Sequence, residues 1–529
     1  MATSKMAVPS KQQGLGAMED VAPKGRWGFV QFFFVLSVVL CVLLYAPRVF
    51  VLDPARGIDV VGFFTAAANS SSSSSKGTTT TSSPSMAPPV LRQSVKGGGD
   101  AEDDGGRVVL DNQVDSPCAS MRDHTICCDR SSVHTDVCFM SGDVRTDAAS
   151  LSLLLFPPPH QNQAAPSNAS SSPPEQEERV RPYTRKWERH IMGNIPEVRL
   201  RAARPEEQRR CDVRHDAPLL VMTAGGYTGN LFHAFSDGFL PAWVTTQHLR
   251  RRVVLGVLSY NPWWAGTFGE IIAGLSDYHV VDLLHDTRTH CFPGAIVGTR
   301  FHGILLVDPA RLRDNKTIVD FHDFLADSYE KKKSGEGTIT TTPEETTTTT
   351  RPRLVIVSRK GTRVMENQAA VARVATSVGF DVEVMETANG MPLSVWYASL
   401  SRCDALVGVH GADLTKFLFL RPGSASLTQI APLGVSPIAR DCFGGPAERM
   451  RLRYHQYEVA GHESSLIRKF RPDDEVVADP EKAKRTKGWG FVAKYYLGGQ
   501  NVSLDLGRFG QTLARLHADA MRQQQLPPR

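Results

Sequence analysis

Past Thr350 the sequence repeats one pattern: a short apolar run, a polar turn, then a helical stretch. The run Leu354-Val355-Ile356-Val357 is followed by helical spacing from Asn367 to Val378. Phe380 to Met385 reads as the next strand, a helical stretch lies near Leu393 to Ser401, and Ala405 to Val409 is a third strand. Strand, helix, strand, helix, strand is the grammar of a parallel sheet with helices on both faces. A less regular version lies upstream. There Leu219 to Met222 runs into the turn Thr223-Ala224-Gly225-Gly226, and Arg252 to Leu258 follows. Two such units predict an α/β fold of two Rossmann-like domains facing each other across a cleft. Ligands of such sheets bind beyond the carboxyl ends of the strands.

The 529 residues suffice for two ordinary domains with linkers. We place the first domain at 116–330, with an insertion at 157–178 rich in Pro, Ser and Gln. A low-complexity linker follows at 331–350, then the second domain at 351–460. A helical segment, 461–529, is expected to pack back on the first domain. The formal net charge is only +5, and Lys and Arg are scattered apart from short runs such as Arg250 to Arg252. No dense basic stripe is present, which argues against a nucleic-acid partner.

From Trp27 to Ala46 there is no charged residue. About 20 residues of helix span a hydrocarbon core of about 30 Å. Lys5, Lys11, Lys24 and Arg26 precede the run, so residues 1–26 are expected in the cytosol and the rest in the lumen. A cleaved signal peptide is the alternative, but the run is long for one and no small-x-small site follows. Residues 47–115, dominated by Ser, Thr, Gly, Ala and Pro, read as a disordered stem. Four Asn-x-Ser/Thr sequons, at Asn69, Asn168, Asn315 and Asn501, and eight of the nine cysteines lie beyond the apolar run. Both features suit an oxidising lumen. Among His124, Cys127, Cys128, His134 and Cys138 zinc is conceivable, but no second CxxC-type pair accompanies them, so disulfides or a buried thiol are the better reading.

Three segments offer chemistry. Val409-His410-Gly411-Ala412-Asp413-Leu414-Thr415 ends a strand and opens a helix near Asp413, where free N–H groups suit a diphosphate. An ordinary turn capped by Asp413 reads equally well from this motif alone. Val357-Ser358-Arg359-Lys360-Gly361-Thr362-Arg363 brings three cations to a strand end, where they can stabilise a departing diphosphate without a metal. The alternative there is a solvated basic loop. Gly225 to Pro241 leads a glycine-rich turn into a helix that sets His233 and Asp237 four residues apart on one face. Either side chain can take a proton from an attacking hydroxyl. The bland reading makes Asn230 a cap and His233 a satisfied buried histidine. Trp263-Trp264 can stack on a sugar ring or fill a core.

Together these segments resemble glycosyltransferase family 61, above all its plant branch of xylan-decorating arabinosyl- and xylosyltransferases. The resemblance runs from about Cys127 to Leu516. It is carried by CDRSSVHTDVCFMSGDVR, GGYTGNLFHAFSDGFLP, LSDYHVVDLLHDTRTHCFPGAIVG, RLVIVSRKGTR, VGVHGADLTKFLFLRPGS, YEVAGHESSL and NVSLDLGRF, in that order. It implies a GT-B fold, inversion at the anomeric carbon, no essential metal or cofactor, and a Golgi type II membrane protein. The UDP-sugar donor is implied at Arg359, Lys360, Arg363, His410, Gly411, Ala412 and Thr415. The polysaccharide acceptor is implied at the first domain, with Asp237 as the preferred base and His233 as runner-up. One departure stands out. The family turn usually reads His-Gly-Ala-Gly-Leu-Thr, whereas here Asp413 replaces the second glycine and Lys416 stands where Asn is common. A carboxylate beside a diphosphate is repulsive. A catalytically silent family member, serving as a binding or assembly partner of other Golgi transferases, is therefore the alternative reading.

Overall fold

The computed structural model describes residues 109–158, 177–330, 351–387 and 391–525. The apolar run 27–46, the tail before it, most of the proposed stem, the body of the 157–178 insertion, the 331–350 linker, Asn69 and Asn168 lie outside the described residues. No helix among the described residues is long and apolar enough to cross a membrane.

The strands of the first sheet are β1 (Thr125–Asp129), β2 (Val137–Asp147), β3 (Ser152–Phe156), β4 (Glu178–Val180), β5 (Val198–Ala202), β6 (Val213–Arg214), β7 (Leu219–Thr223), β8 (Val254–Leu258), β9 (Val281–Asp282) and β10 (His290–Val297). Their main order is β4-β5-β3-β2-β10-β7-β8-β9, with β1 on β2 and β6 beside β10. Only part of this sheet has the expected parallel character. β10, β7, β8 and β9 are parallel, but β2 pairs antiparallel with β1, β3 and β10. The reason is connection length. β2 and β3 are joined by the short turn Ala148–Ser150, closed by Leu151 at φ 47°, and a parallel pair needs a crossover many residues longer.

Two disulfides staple the start of this sheet, Cys118–Cys127 and Cys128–Cys138, so those sulfurs are not available to zinc. A third, Cys211–Cys291, ties the segment before β7 to β10 across 80 residues of sequence. A cross-link of that span restricts the unfolded chain strongly. Replacing both Cys211 and Cys291 by Ser is expected to cost about 3–5 kcal/mol and lower the melting temperature by roughly 10 °C, as read by scanning fluorimetry.

The stem as drawn from the sequence ends too late. Leu110, Asp111, Asn112 and Gln113 are buried on the first sheet's domain, and Gln113 bridges to Leu312. Their anchor is Arg300, a buried guanidinium bonded to both Asp111 and Asp129. A buried cation needs such partners, and composition alone does not reveal which distant carboxylates supply them.

The second sheet comprises β11 (Arg353–Ser358), β12 (Asp381–Glu386), β13 (Ala405–Val409), β14 (Ser426–Ala431) and β15 (Arg453–Glu458), all parallel, in the order β12-β11-β13-β14-β15. The chain moves outward from β11 to β12, then returns past β11 to β13. At that reversal the connections after β11 and β13 leave on opposite sides of the sheet, which opens a crevice between their carboxyl ends.

The C-terminal segment does not pack back on the first domain as expected. Helix Leu506–Gln524 carries Phe509, Leu513, Leu516 and Ala520 on one face, a helical spacing. They share a core with Leu354, Val371, Ala375 and Phe380 of the second sheet's domain. The two sheets' domains are joined by a continuous apolar core that runs from Phe235, Trp243 and Phe321 to Trp396, Phe417 and Phe443.

Candidate active site

Both basic and histidine motifs sit at the reversal of the second sheet. Arg359 follows the last residue of β11, and His410 follows the last residue of β13. Gly411 has φ 156°, a conformation other residues rarely adopt, and a Cβ there would stand 2.3 Å from Arg359 Nη1, so the guanidinium would have to move. A 3₁₀ helix, Ala412–Phe419, begins at once, instead of the expected α-helix near Asp413. Asp413 does not cap it. Its carboxylate accepts from Arg359 Nη1 at 3.2 Å, Lys416 Nζ at 2.9 Å and Thr387 Oγ1 at 2.9 Å. Lys416 is only 3% exposed and lies 3.9 Å from the centre of the Trp396 ring. Burial alone would raise the Asp413 carboxyl, but Lys416 and Arg359 hold it below its usual range.

Arg363 is the remaining cation. Burial, reinforced by Arg359, pushes it down to about 10. Its Nε is buried with no hydrogen-bond partner among the described residues. The loop that carries it is held in a left-handed turn, φ 55° at Arg363. It is pinned by the C-terminal segment, with Arg363 N donating to Gln500 O at 2.8 Å and Val364 N to Asn501 Oδ1 at 3.1 Å. This is the work of the residues expected on the other domain. The crevice therefore carries three cations against one carboxylate, a surplus that favours an anion.

His410 is buried. Burial, helped by Arg363 and Arg359, pushes it down to about 3, so it is neutral at any physiological pH. Gln429 Nε2 donates to its Nδ1 at 2.8 Å, which leaves the ring proton on Nε2. His410 is thus an N–H donor without charge. Two of the expected residues are not in the crevice. Lys360 is 73% exposed and pairs with Glu386 at 3.0 Å on the surface, and the Thr415 hydroxyl is buried with no partner among the described residues. Ala412 contributes only backbone.

The third motif faces this crevice from the first domain. Asn230 caps helix Leu231–His233, accepting from Phe232 N at 3.0 Å. The helix then widens into a π-turn over Ala234–Phe239 before helix Leu240–Thr246 resumes. Such bulges occur mostly at functional sites, and here Pro241 supplies a cause. It has no N–H to give the carbonyl of Asp237 four residues back, and the Thr184 hydroxyl fills that place at 3.1 Å. His233 Nδ1 lies 2.7 Å from Asp237 Oδ2. The Asp237 side chain is 1% exposed and also bonds Arg185 Nε at 2.8 Å and Tyr183 Oη at 3.2 Å. Burial would raise this carboxyl, yet His233 and Arg185 hold it below its usual range. Asp237, spent on three partners and out of solvent, is poorly placed to be the base itself. His233 is 23% exposed, and its Nε2 makes no hydrogen bond among the described residues.

Gly226, at φ 65°, lets the Tyr183 ring approach, since a Cβ there would meet it at 2.7 Å. The motifs meet through a chain of edge-to-face rings: His233 against Phe232 at 5.2 Å, Phe232 against Phe443 at 5.5 Å, Phe443 against His410 at 5.6 Å. Helix Leu231–His233 packs on the Ala412–Phe419 turn. Of the paired tryptophans, Trp264 is core, stacked on Phe239, and Trp263 is exposed. A cavity of 1180 Å³ lies elsewhere, beside Trp243, Glu270, Asp320, Asp323 and Asp327. Its rim mixes these carboxylates with Arg250, Arg251 and Lys316 and includes none of the three motifs, so size does not identify the site. No cluster of three metal-ligating side chains occurs among the described residues.

The glycosyltransferase 61 family profile matches residues 35–427. This chain belongs to glycosyltransferase family 61. Among curated proteins, a xylan glycosyltransferase of Arabidopsis thaliana is 36% identical over 423 residues, 78% of this chain and 83% of that protein. A beta-1,2-xylosyltransferase of Oryza sativa subsp. japonica is 35% identical over 64% of this chain and 71% of its own length. An alpha-1,3-arabinosyltransferase of the same rice is 32% identical over 73% and 63%. Family membership accounts for the motifs that sequence reading identified. Arg185, Tyr183, Gln429 and Phe443 escaped it, because each lies far along the chain from the residue it serves.

Proposed function

We propose that this chain is an inverting glycosyltransferase that moves a pentose, xylose or arabinofuranose, from a UDP-sugar to a xylan-like polysaccharide in the Golgi lumen. The observation that carries this reading is the half-buried Arg363, its Nε buried with no hydrogen-bond partner among the described residues, beside Arg359 at the sheet reversal and facing the His233–Asp237 pair. The arrangement of two domains around one site is read as GT-B. His233 Nε2 takes the proton of an acceptor hydroxyl, whose oxygen attacks the anomeric carbon as the bond to the diphosphate breaks. UDP leaves against Arg363, Arg359 and the neutral His410 N–H. Asp237 orients His233 and stabilises the imidazolium. The uncharged apolar run would anchor the chain. A glycan is best accepted at Asn315, exposed in a left-handed turn. At Asn501 the amide nitrogen already donates to Glu366. The test is transfer by the full chain, purified in detergent, from a panel of UDP-pentoses to xylo-oligosaccharides, with products read by mass spectrometry. Transfer of no pentose together with no UDP binding would reject the reading.

The Asp413 carboxylate on Arg359 motivates the second reading, a silent family member that binds other transferases. Asp413→Gly alone leaves the buried Lys416 unpaired, so Asp413→Gly with Lys416→Asn is the informative variant. For a working site the expected gain in UDP affinity is about tenfold, the worth of one relieved charge contact, measured by calorimetry. Activity appearing only in the double variant would favour the silent reading.

A further inference from the structure

The loop Arg185–Glu188 and the short helix Arg189–Met192 after it precede the first sheet's fifth strand and carry no family motif quoted above, yet the loop touches the candidate base. Arg185 bonds Asp237 and lies 3.1 Å from His233 Nδ1. Two residues on, Trp187 is 49% exposed. Single exposed aromatics are common, but this ring is held by two neighbours and still half exposed. His134 meets it edge-on at 4.8 Å, itself braced by Phe301 at 5.0 Å, and the Arg185 guanidinium lies 5.4 Å from its centre. The same guanidinium lies 5.4 Å from the centre of Tyr227, whose ring is 4.8 Å from that of His233. Polar groups border the platform. Glu188 accepts from the Tyr227 hydroxyl at 3.0 Å, and the His190 ring, 72% exposed, reaches that hydroxyl at 3.3 Å.

A flat, rigid, exposed ring bordered by a carboxylate and an imidazole suits a ligand with an apolar face and a polar edge. A pyranose of an uncharged chain has that form: its axial C–H bonds make the face and its hydroxyls the edge. We propose that Trp187, with Glu188 and His190, forms an acceptor subsite in which one xylose ring of the polysaccharide stacks on the indole next to the ring whose hydroxyl His233 deprotonates. The subsite rests on the transferase reading for its role, but its ligand can be tested without turnover. Rigidity matters because a ring already held by His134 and Arg185 loses little freedom when a sugar covers it.

The experiment titrates xylohexaose, with no donor present, into the full chain and into Trp187→Ala, by calorimetry. The expected result is a Kd weakened about tenfold in the variant, the loss typical of an aromatic anchor, while affinity for UDP holds. In transfer assays the KM for xylohexaose should rise in parallel, and the effect should shrink for acceptors too short to reach Trp187. Equal binding by both proteins, or no xylohexaose binding by the wild-type chain, overturns the inference. Loss of UDP binding and transfer in the wild type, with xylohexaose binding still sensitive to Trp187, would reject the donor reading and leave the subsite standing. Should Trp187→Ala melt early, His190→Ala, whose side chain is largely solvent, provides the same titration with an expected loss of about threefold.

Discussion

Asp237→Asn is expected to cut pentose transfer by roughly 10³-fold or more, with UDP affinity unchanged. One proton decides this outcome. Two groups compete at His233 Nδ1, the Asp237 carboxylate at 2.7 Å and the Arg185 Nη2 donor at 3.1 Å; the shorter contact to the ionised Asp237 favours the proton on Nδ1, and Nε2 then keeps a lone pair to accept from the acceptor hydroxyl. An asparagine amide can turn its NH₂ toward Nδ1, which moves the ring proton to Nε2 and makes that atom a donor. The base is then present but in the wrong tautomer. Comparison with His233→Ala separates the two assignments. If His233 is the base, both variants lose rate to a similar extent. If Asp237 were the base, His233→Ala would keep part of the activity and Asp237→Asn almost none. Arg185 loses its buried partner in Asp237→Asn but keeps Glu188, and a melting curve checks that the fold survives. Transfer by Asp237→Asn at more than about a tenth of the wild-type rate would sink the proton-relay account.

The sequence discloses this site unevenly, for physical reasons. β11, β13 and the helices between them are legible because each buries an apolar run or stripe of its own, and β12, a mostly exposed edge strand, is legible from its alternating Val382, Val384 and acidic residues. The motifs at Arg359 and His410 are legible as strand ends, and the order β12-β11-β13 then brings them together. The pairing of His233 with Asp237 follows from their spacing of four. What the sequence conceals is long-range. Arg185 reaches Asp237 from 52 residues away, and no local pattern marks it. Phe443 joins the two motifs from a helix whose own sequence reads as ordinary. The first sheet departs from a parallel one because β2 and β3 close through a tight turn. The placement of helix Leu506–Gln524 depends on which of two apolar surfaces accepts its stripe, a matter of shape. Asp413 is the instructive case. Its identity raises the question of repulsion, and only the positions of Arg359, Lys416 and Thr387 show that its charge is already neutralised.

The same charges make Arg363 the decisive donor contact. Arg359 divides its charge with Asp413, and Lys416 is buried against Trp396 and tied to the same carboxylate. Arg363 has a buried Nε without a hydrogen-bond partner among the described residues, and the carboxylate that acts on it, Asp413, is already tied to Arg359 and Lys416. A guanidinium N–H buried without a partner is costly, and such a cost persists where a ligand relieves it. Arg363→Met, close in volume and without charge, is therefore expected to weaken UDP binding by about 100-fold or more, the penalty for removing a desolvated partner of an anion. The variant should melt no lower than the wild type, and higher if the unpaired charge is the burden the burial implies. Lys360→Met, on the exposed ion pair with Glu386, supplies the contrast and should leave UDP affinity within about twofold. Calorimetric titration of UDP into the three proteins decides between them. If Lys360→Met lost affinity and Arg363→Met kept it, the diphosphate would sit on the outer face of the loop, and the crevice between β11 and β13 would not be the donor site.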